Sequence, residues 1–257
     1  MSDSGKPVTE LRSLRALLLL ETLVTQDRVL NISELESLSG LPRATLYRLT
    51  DKLVQEDFLR KQIGGRGFTV GHRLLSLAQH VLQGDSARTV RHEILSRLVE
   101  QVGETCNLSV PDGDQMMYLD RVEAHWPLRL HIPTGSRVPM HCTANGKLYL
   151  ALLGSEEREE KINSLTLEES GKNAITSVDA LHREVEQIRE RRYATDNEEF
   201  ITGMIGVSVP ITDNRDRMLA GVAVTAPVAR MSLNTAVRHL PALREAARDL
   251  SNYLMRR

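Results

Sequence analysis

Residues 31–70 read NISELESLSGLPRATLYRLTDKLVQEDFLRKQIGGRGFTV, and this stretch decides the fold. Ser33, followed three residues on by Glu36, fits a capping box, so a short helix is predicted to start there. Leu35 and Leu38 give it an apolar face. Gly40 ends it, because glycine takes the left-handed conformation that a helix C-terminus often needs. Pro42 suits the first turn of a second helix, where its missing N–H costs nothing. In that helix Ala44, Leu46, Leu49, Leu53 and Val54 fall roughly on one face, and Arg43, Thr45, Tyr47, Arg48 and Lys52 largely on the others. Such a helix packs its leucines on a core and presents guanidiniums and hydroxyls outward, as the reading helix of a helix-turn-helix must.

A hairpin follows. Phe58 and Leu59 are apolar, Arg60 and Lys61 basic, Gly64-Gly65 forms the turn, and Arg66, Phe68 and Val70 return. A basic two-stranded tip beside a helix-turn-helix reads as a wing lying along the phosphate backbone. From Arg43 to Arg73 seven bases face three acids, an excess of four positive charges on a chain of formal charge -1. A local basic patch on a near-neutral protein favours a nucleic-acid surface over a merely solvated helical hairpin.

The whole chain has 257 residues, 41% hydrophobic and 26% charged, enough for two modest domains. No apolar run approaches the ~18 residues of a membrane span, and MSDSGKPVTE lacks the parts of a signal peptide. The two cysteines, Cys106 and Cys142, cannot form a disulfide framework, and free thiols fit the cytoplasm. Aromatic residues make up only 4%, which disfavours a single-strand stacking platform.

Outward from the wing, leucines at 11, 14, 17, 18 and 23 predict a first helix behind the helix-turn-helix. Residues 72–83 repeat the helical pattern and read as a linker helix with an apolar excess, a candidate dimer contact. A helix over 87–102 opens a second domain. Strands are expected over 105–110, 115–122, 126–132, 205–211 and 219–226. Further helices are expected over 144–153, 156–165, 178–192 and, as one long closing helix, 233–255. Strands flanked by helices give an α+β chain with one main sheet.

These segments resemble the IclR family of bacterial transcriptional regulators, end to end. SGLPRATLYRLTDKL and the glycine-turned wing are similar to that family's winged helix, with Asp57 where a glycine is usual. TGSRVPMHCTANGKLYLALL (134–153) and RRYATDNEEFITGMIGVSVPI (191–211) resemble two sharper family segments, Arg192 again replacing a glycine. The resemblance implies a winged helix-turn-helix over residues 1–71, a linker helix over 72–86 and a GAF-like effector-binding domain over 87–257. It also implies a homodimer or dimer of dimers that controls a catabolic operon from a palindromic site on double-stranded DNA.

By the same resemblance the effector sits at Ala144, Asn145, Asp196, Gly206, Ala223 and Thr225. A helix N-terminus at Ala144 would offer N–H groups and partial positive charge to a carboxylate. Relatives that bind small keto-acids often carry cysteine and serine at the Gly206 and Ala223 positions. The smaller residues here leave volume for a larger organic acid, aromatic or branched, with apolar walls from Met140, Ile205 and whichever of Val222 and Val224 faces inward. Arg129 and His131, two apart on the expected 126–132 strand, share a face, and Arg129 could clamp a carboxylate or sit on an edge strand. The expected DNA contacts are Arg43, Thr45, Tyr47, Arg48, Lys52, Arg60 and Arg66.

No cofactor, metal site or catalytic group is expected. His125, His131, His141 and Cys142 match no closed zinc signature. Adjacent His141 and Cys142 would point apart in extended chain, with no orienting acid evident. Glu198-Glu199 reads as a solvated helix end. The competing functional reading is a GAF-like sensor or enzyme that uses its helix-turn-helix only to oligomerise.

Overall fold

The computed structural model describes residues 14–26, 28–62, 67–83, 85–127 and 130–254. The Gly64-Gly65 turn, Arg66 and Arg129 lie outside them, as do Leu11 and Met255 at the ends of two expected helices. The chain divides into two compact units, residues 1–84 and 85–257.

The first unit runs α1 (Arg15–Gln26), β1 (Leu30–Asn31), α2 (Ile32–Ser39), α3 (Arg43–Gln55), β2 (Leu59–Lys61), β3 (Gly67–Val70) and α4 (His72–Gln83). Leu19, Leu23, Leu30, Leu35, Leu41, Leu46, Leu59 and Phe68 form its core. Gly40 takes φ 67° and closes α2 as expected. The capping box lies two residues earlier than the sequence suggests. Asn31 is extended (φ -86°, ψ 171°), its Oδ1 accepts from Glu34 N at 3.0 Å, and its own N–H donates to Glu34 Oε2 at 2.9 Å. Asn31 also ends β1, which pairs with β3 and makes the wing a three-stranded sheet, so strand pairing sets where the helix begins.

Pro42 is the N-cap of α3 and not its first helical residue; its carbonyl receives the N–H groups of Thr45 and Leu46. Ala44 is exposed, whereas Thr50 is fully buried and turns its hydroxyl back to Leu46 O at 2.9 Å. Asp57 holds φ 55° at the turn into the wing, a conformation aspartate tolerates better than most residues.

The second unit runs α5 (Asp85–Val102), β4 (Thr105–Asp112), β5 (Gln115–Val122), β6 (Arg137–Pro139), α6 (Ala144–Leu152), α7 (Ser155–Ser164), α8 (Val178–Arg191), β7 (Ala194–Asn197), β8 (Met204–Thr212), β9 (Met218–Pro227), α9 (Leu233–Arg238) and α10 (Leu240–Leu254). The strands form one antiparallel sheet in the order β6-β5-β4-β9-β8-β7. Helices α5 and α10 pack on one face; α6 packs on the other, with α7 and α8 against it. Burial on both faces explains why β8 and β9 are nearly continuous apolar runs.

Two expectations fail here, and two short strands, β6 and β7, lie outside those expected. Residues 126–132 contain no strand among the described residues; Pro127 within them and Pro133 just after cannot donate to a ladder, and the edge is the short β6 instead. Strand β7 carries the sequence ATDN, too short and polar to show a period-two pattern. The closing helix breaks at His239, because Pro241 fits only the first turn of a helix and so starts α10 afresh. Arg192 ends α8 in the left-handed conformation (φ 59°), the geometry that favours glycine there. No helix among the described residues is long and apolar enough to cross a membrane.

Candidate nucleic-acid face and ligand cavity

The first unit joins α2 to α3 through Gly40, Leu41 and Pro42, and Leu41 and Leu46 anchor the turn in the core. Leucines at one face leave the other face of α3 for polar groups. Arg43, Tyr47, Arg48 and Lys52 are exposed and Thr45 is half-buried. Arg43 lies 3.7 Å from Glu36, with its guanidinium 6.0 Å from the Tyr47 ring. Arg48 and Lys52, one turn apart, have no ion-pair partner among the described residues. On the wing, Arg60 sits 3.8 Å from Asp57 and Lys61 3.4 Å from Asp51. These exposed pairs are worth little to stability, so their cations stay available to a phosphate.

The second unit contains a cavity between the sheet and the start of α6. Ala144, Asn145, Asp196, Ile205, Gly206, Ala223 and Thr225 all line it, so seven residues scattered over 82 positions converge. Thr143 caps α6: its Oγ1 accepts from Gly146 N at 3.3 Å and donates to Pro139 O at 2.6 Å. That leaves the N–H groups of Ala144 and Asn145 at the open helix end. Gly221 faces Asn145 so closely that an added Cβ would lie 2.3 Å from its Oδ1; this is what lets α6 approach the sheet. At Gly206 an added Cβ would meet only ordinary contacts of 3.5 Å or more.

Two expected residues lie elsewhere. Met140 is fully buried beneath α6, where its backbone would meet a Cβ on Gly146 at 2.3 Å, and it does not line the cavity. His131 is exposed and its Nδ1 stands 2.7 Å from Glu123, because the strand that was to aim it inward does not form. Val222 and Val224 alternate to the opposite face from Ala223 and Thr225 and supply no wall.

Other lining residues are polar ones that the motif reading missed: Asn107, Ser109, Tyr118 and Arg121. The signal was there in part. In TCNLSV the polar Thr105, Asn107 and Ser109 alternate with Cys106, Leu108 and Val110, a period-two pattern with its polar side inward. Asn107 Nδ2, Ser109 Oγ, Asn145 Oδ1 and Thr225 Oγ1 are buried without hydrogen-bond partners. Buried polar groups are nearly always satisfied in a folded protein, so such a cluster marks a place where something polar binds. The cavity itself is small, about 30 Å³.

A buried ionic layer lies beside it. Lys147 on α6, 1% exposed, pairs with Glu199, with Glu184 3.7 Å away. Glu199 and Glu198 are both buried and neither belongs to a helix, so the solvated-helix-end reading is wrong. Asp196 Oδ1 accepts from Glu199 N at 2.8 Å and Phe200 N at 3.3 Å. Burial nonetheless pushes the Asp196 carboxyl up to about 7, the nearby Glu199 charge adding to the effect. Burial raises Glu199 as well, against the pull of Lys147. The Cys142 thiol is pushed up to about 12 by burial, which leaves it inert as a nucleophile.

Two family models match the chain: "IclR helix-turn-helix domain" over residues 14–62 and "Bacterial transcriptional regulator IclR C-terminal" over residues 79–252. The chain is 40% identical to the "Probable transcriptional regulator SauR" of Cupriavidus necator, over 93% of its own length and 94% of that protein's. It is 33% identical to the "Acetate operon repressor" of Salmonella typhimurium, covering 88% and 84%. The crystal structure of the Thermotoga maritima IclR superposes with a TM-score of 0.63 at 28% identity, covering 93% and 97%. The chain therefore belongs to the IclR family of bacterial transcriptional regulators.

Proposed function

We propose that this regulator switches its affinity for a palindromic operator when a small organic acid enters the cavity at the start of α6. The observation that carries the reading is the set of unpartnered buried groups at that helix end, Asn107, Ser109, Asn145 and Thr225. The acid group would take the N–H groups of Ala144 and Asn145, where the helix dipole favours a carboxylate. Asp196, near neutral at its raised pKa, would donate to a ligand oxygen rather than repel it. A relative's name ties it to an acetate operon, in keeping with control of a catabolic operon in the cytoplasm.

On the DNA side, Thr45, Tyr47 and Arg48 would approach base edges or phosphates, and Arg43, Lys52 and Arg60 the phosphates. Leu17 and Val24 on α1 and Leu75 and Leu77 on α4 are exposed apolar residues suited to pairing two subunits. A dimer would place two reading helices on half-sites ~34 Å apart. The test is a thermal-shift screen of organic acids on the wild type and on Ala223→Phe, which fills the cavity. Stabilisation of the wild type alone supports the reading; equal stabilisation of both places the ligand elsewhere.

A further inference from the structure

The cavity holds a cation that the helix-end reading does not use. Arg121 lines it from β5 and is 8% exposed. In a regular strand Tyr118 and Arg121, three apart, face opposite sides. Here the register slips: Leu108 pairs with Asp120 but Ser109 pairs with Tyr118, so Leu119 is an extra residue on β5. This bulge reverses the alternation, and both Tyr118 and Arg121 face the cavity. It turns Asp120 the other way, to within 3.2 Å of His92 Nδ1 on α5. A strand re-aimed by one residue beside a site is a recurring device for presenting a side chain.

The guanidinium has donors to spare. One nitrogen donates to Leu130 O at 2.7 Å, and the group lies 5.7 Å from the Tyr118 ring. Nε makes no hydrogen bond, although the Glu123 carboxylate stands 3.7 Å from it at ion-pair range. A buried guanidinium with unmet donors costs stability that a ligand anion would restore. Arg121 pairs across the ladder with Asn107, whose Oδ1 accepts from Asn145 Nδ2 at 3.2 Å in the first turn of α6. Asn107 thus stands between Arg121 and the start of α6, and all three line the same cavity. A short chain with charged ends bridges two such groups with less bulk than a ring, so a cavity this small favours the chain.

We propose that the ligand is a compact dianion of two to four carbons, one anionic group on the N–H groups at the start of α6 and the other on Arg121. This rests on the effector-site reading of the cavity. The test is calorimetric titration of the full-length protein with matched pairs: acetate and oxalate, propionate and malonate, butyrate and succinate. In at least one pair the diacid is expected to bind tenfold or more tightly than its monoacid. Arg121→Gln should bring the two level, while Arg121→Lys should keep most of the preference and serves if the glutamine variant fails to fold. Monoacids binding as tightly as their diacids in every pair, or a diacid preference that survives Arg121→Gln, overturns the inference and leaves the effector site standing. Binding of none of the six acids overturns both.

Discussion

The two units carry charge in opposite ways. The first keeps its cations outside: Arg43, Arg48, Lys52, Arg60 and Lys61 are exposed, and their pairs with acids are loose. The second takes charge inside: Arg121, Lys147, Asp196 and Glu199 are all more than nine-tenths buried. An exposed cation costs almost nothing to the fold and is held ready for a polyanion whose position varies along DNA. A buried charge costs several kcal/mol unless geometry returns it, so it is kept where one ligand or one partner fits. The contrast predicts that substitutions of the exposed cations in the first unit change binding and spare stability, while those of the buried charges in the second change stability, its pH dependence and ligand affinity together.

The largest effect is expected at the buried pair. Lys147→Met leaves Glu199 uncompensated inside the protein and should cost about 3–5 kcal/mol in urea unfolding. Adding Glu199→Gln should return much of the loss, since a neutral pair of similar size needs no counter-charge. If the single substitution costs less than 1 kcal/mol, the layer is wet and the contrast between the units is gone.

Asp196 comes next. Its native pKa, about 7, lies above the unfolded value of ~3.9, so between these values the native state holds a proton that the unfolded state has released. Stability must then fall as pH rises from about 4 to about 7. Asparagine can accept the same backbone N–H groups without ionising. Asp196→Asn should therefore flatten the decline by roughly 2–4 kcal/mol between pH 4 and pH 8, read from urea midpoints. Glu199, raised in the same sense, leaves a residual slope. An unchanged slope would show that Asp196 is ionised throughout.

How much of this is legible in the sequence differs between the units for the same reason. The first is built from local signals: Gly40 and Pro42 punctuate two amphipathic helices, and the charge excess needs only counting. Its errors are small and local, as at Asn31, where pairing of Leu30 with Phe68 fixes the cap. In the second unit, Ala144, Asp196, Gly206 and Ala223 come together only through sheet order, and it was family resemblance that brought them to notice. Arg121 escapes even the period-two reading, because a bulge at Leu119 inverts its direction. The Lys147–Glu199 pair joins positions 52 apart that no pattern connects.

Smaller effects test the outer side of the comparison. Arg48→Ala should cost about 1–3 kcal/mol on a specific DNA site while leaving the unfolding midpoint within ~0.5 kcal/mol of wild type. A binding loss explained by unfolding would remove Arg48 from the reading surface. Asn31→Ala deletes one half of the α2 capping box and should destabilise the first unit by about 1 kcal/mol. No change there would place the stability of α2 in its buried Ile32 and Leu35 instead.

The central claim is that the buried site governs the exposed one. It is tested by fluorescence anisotropy of the full-length protein on DNA from its own promoter region, with and without an acid shown to occupy the cavity. The account predicts a change in DNA affinity of roughly 5–150-fold in the wild type, absent in Ala223→Phe. An acid that fills the cavity and leaves DNA affinity unchanged would contradict it.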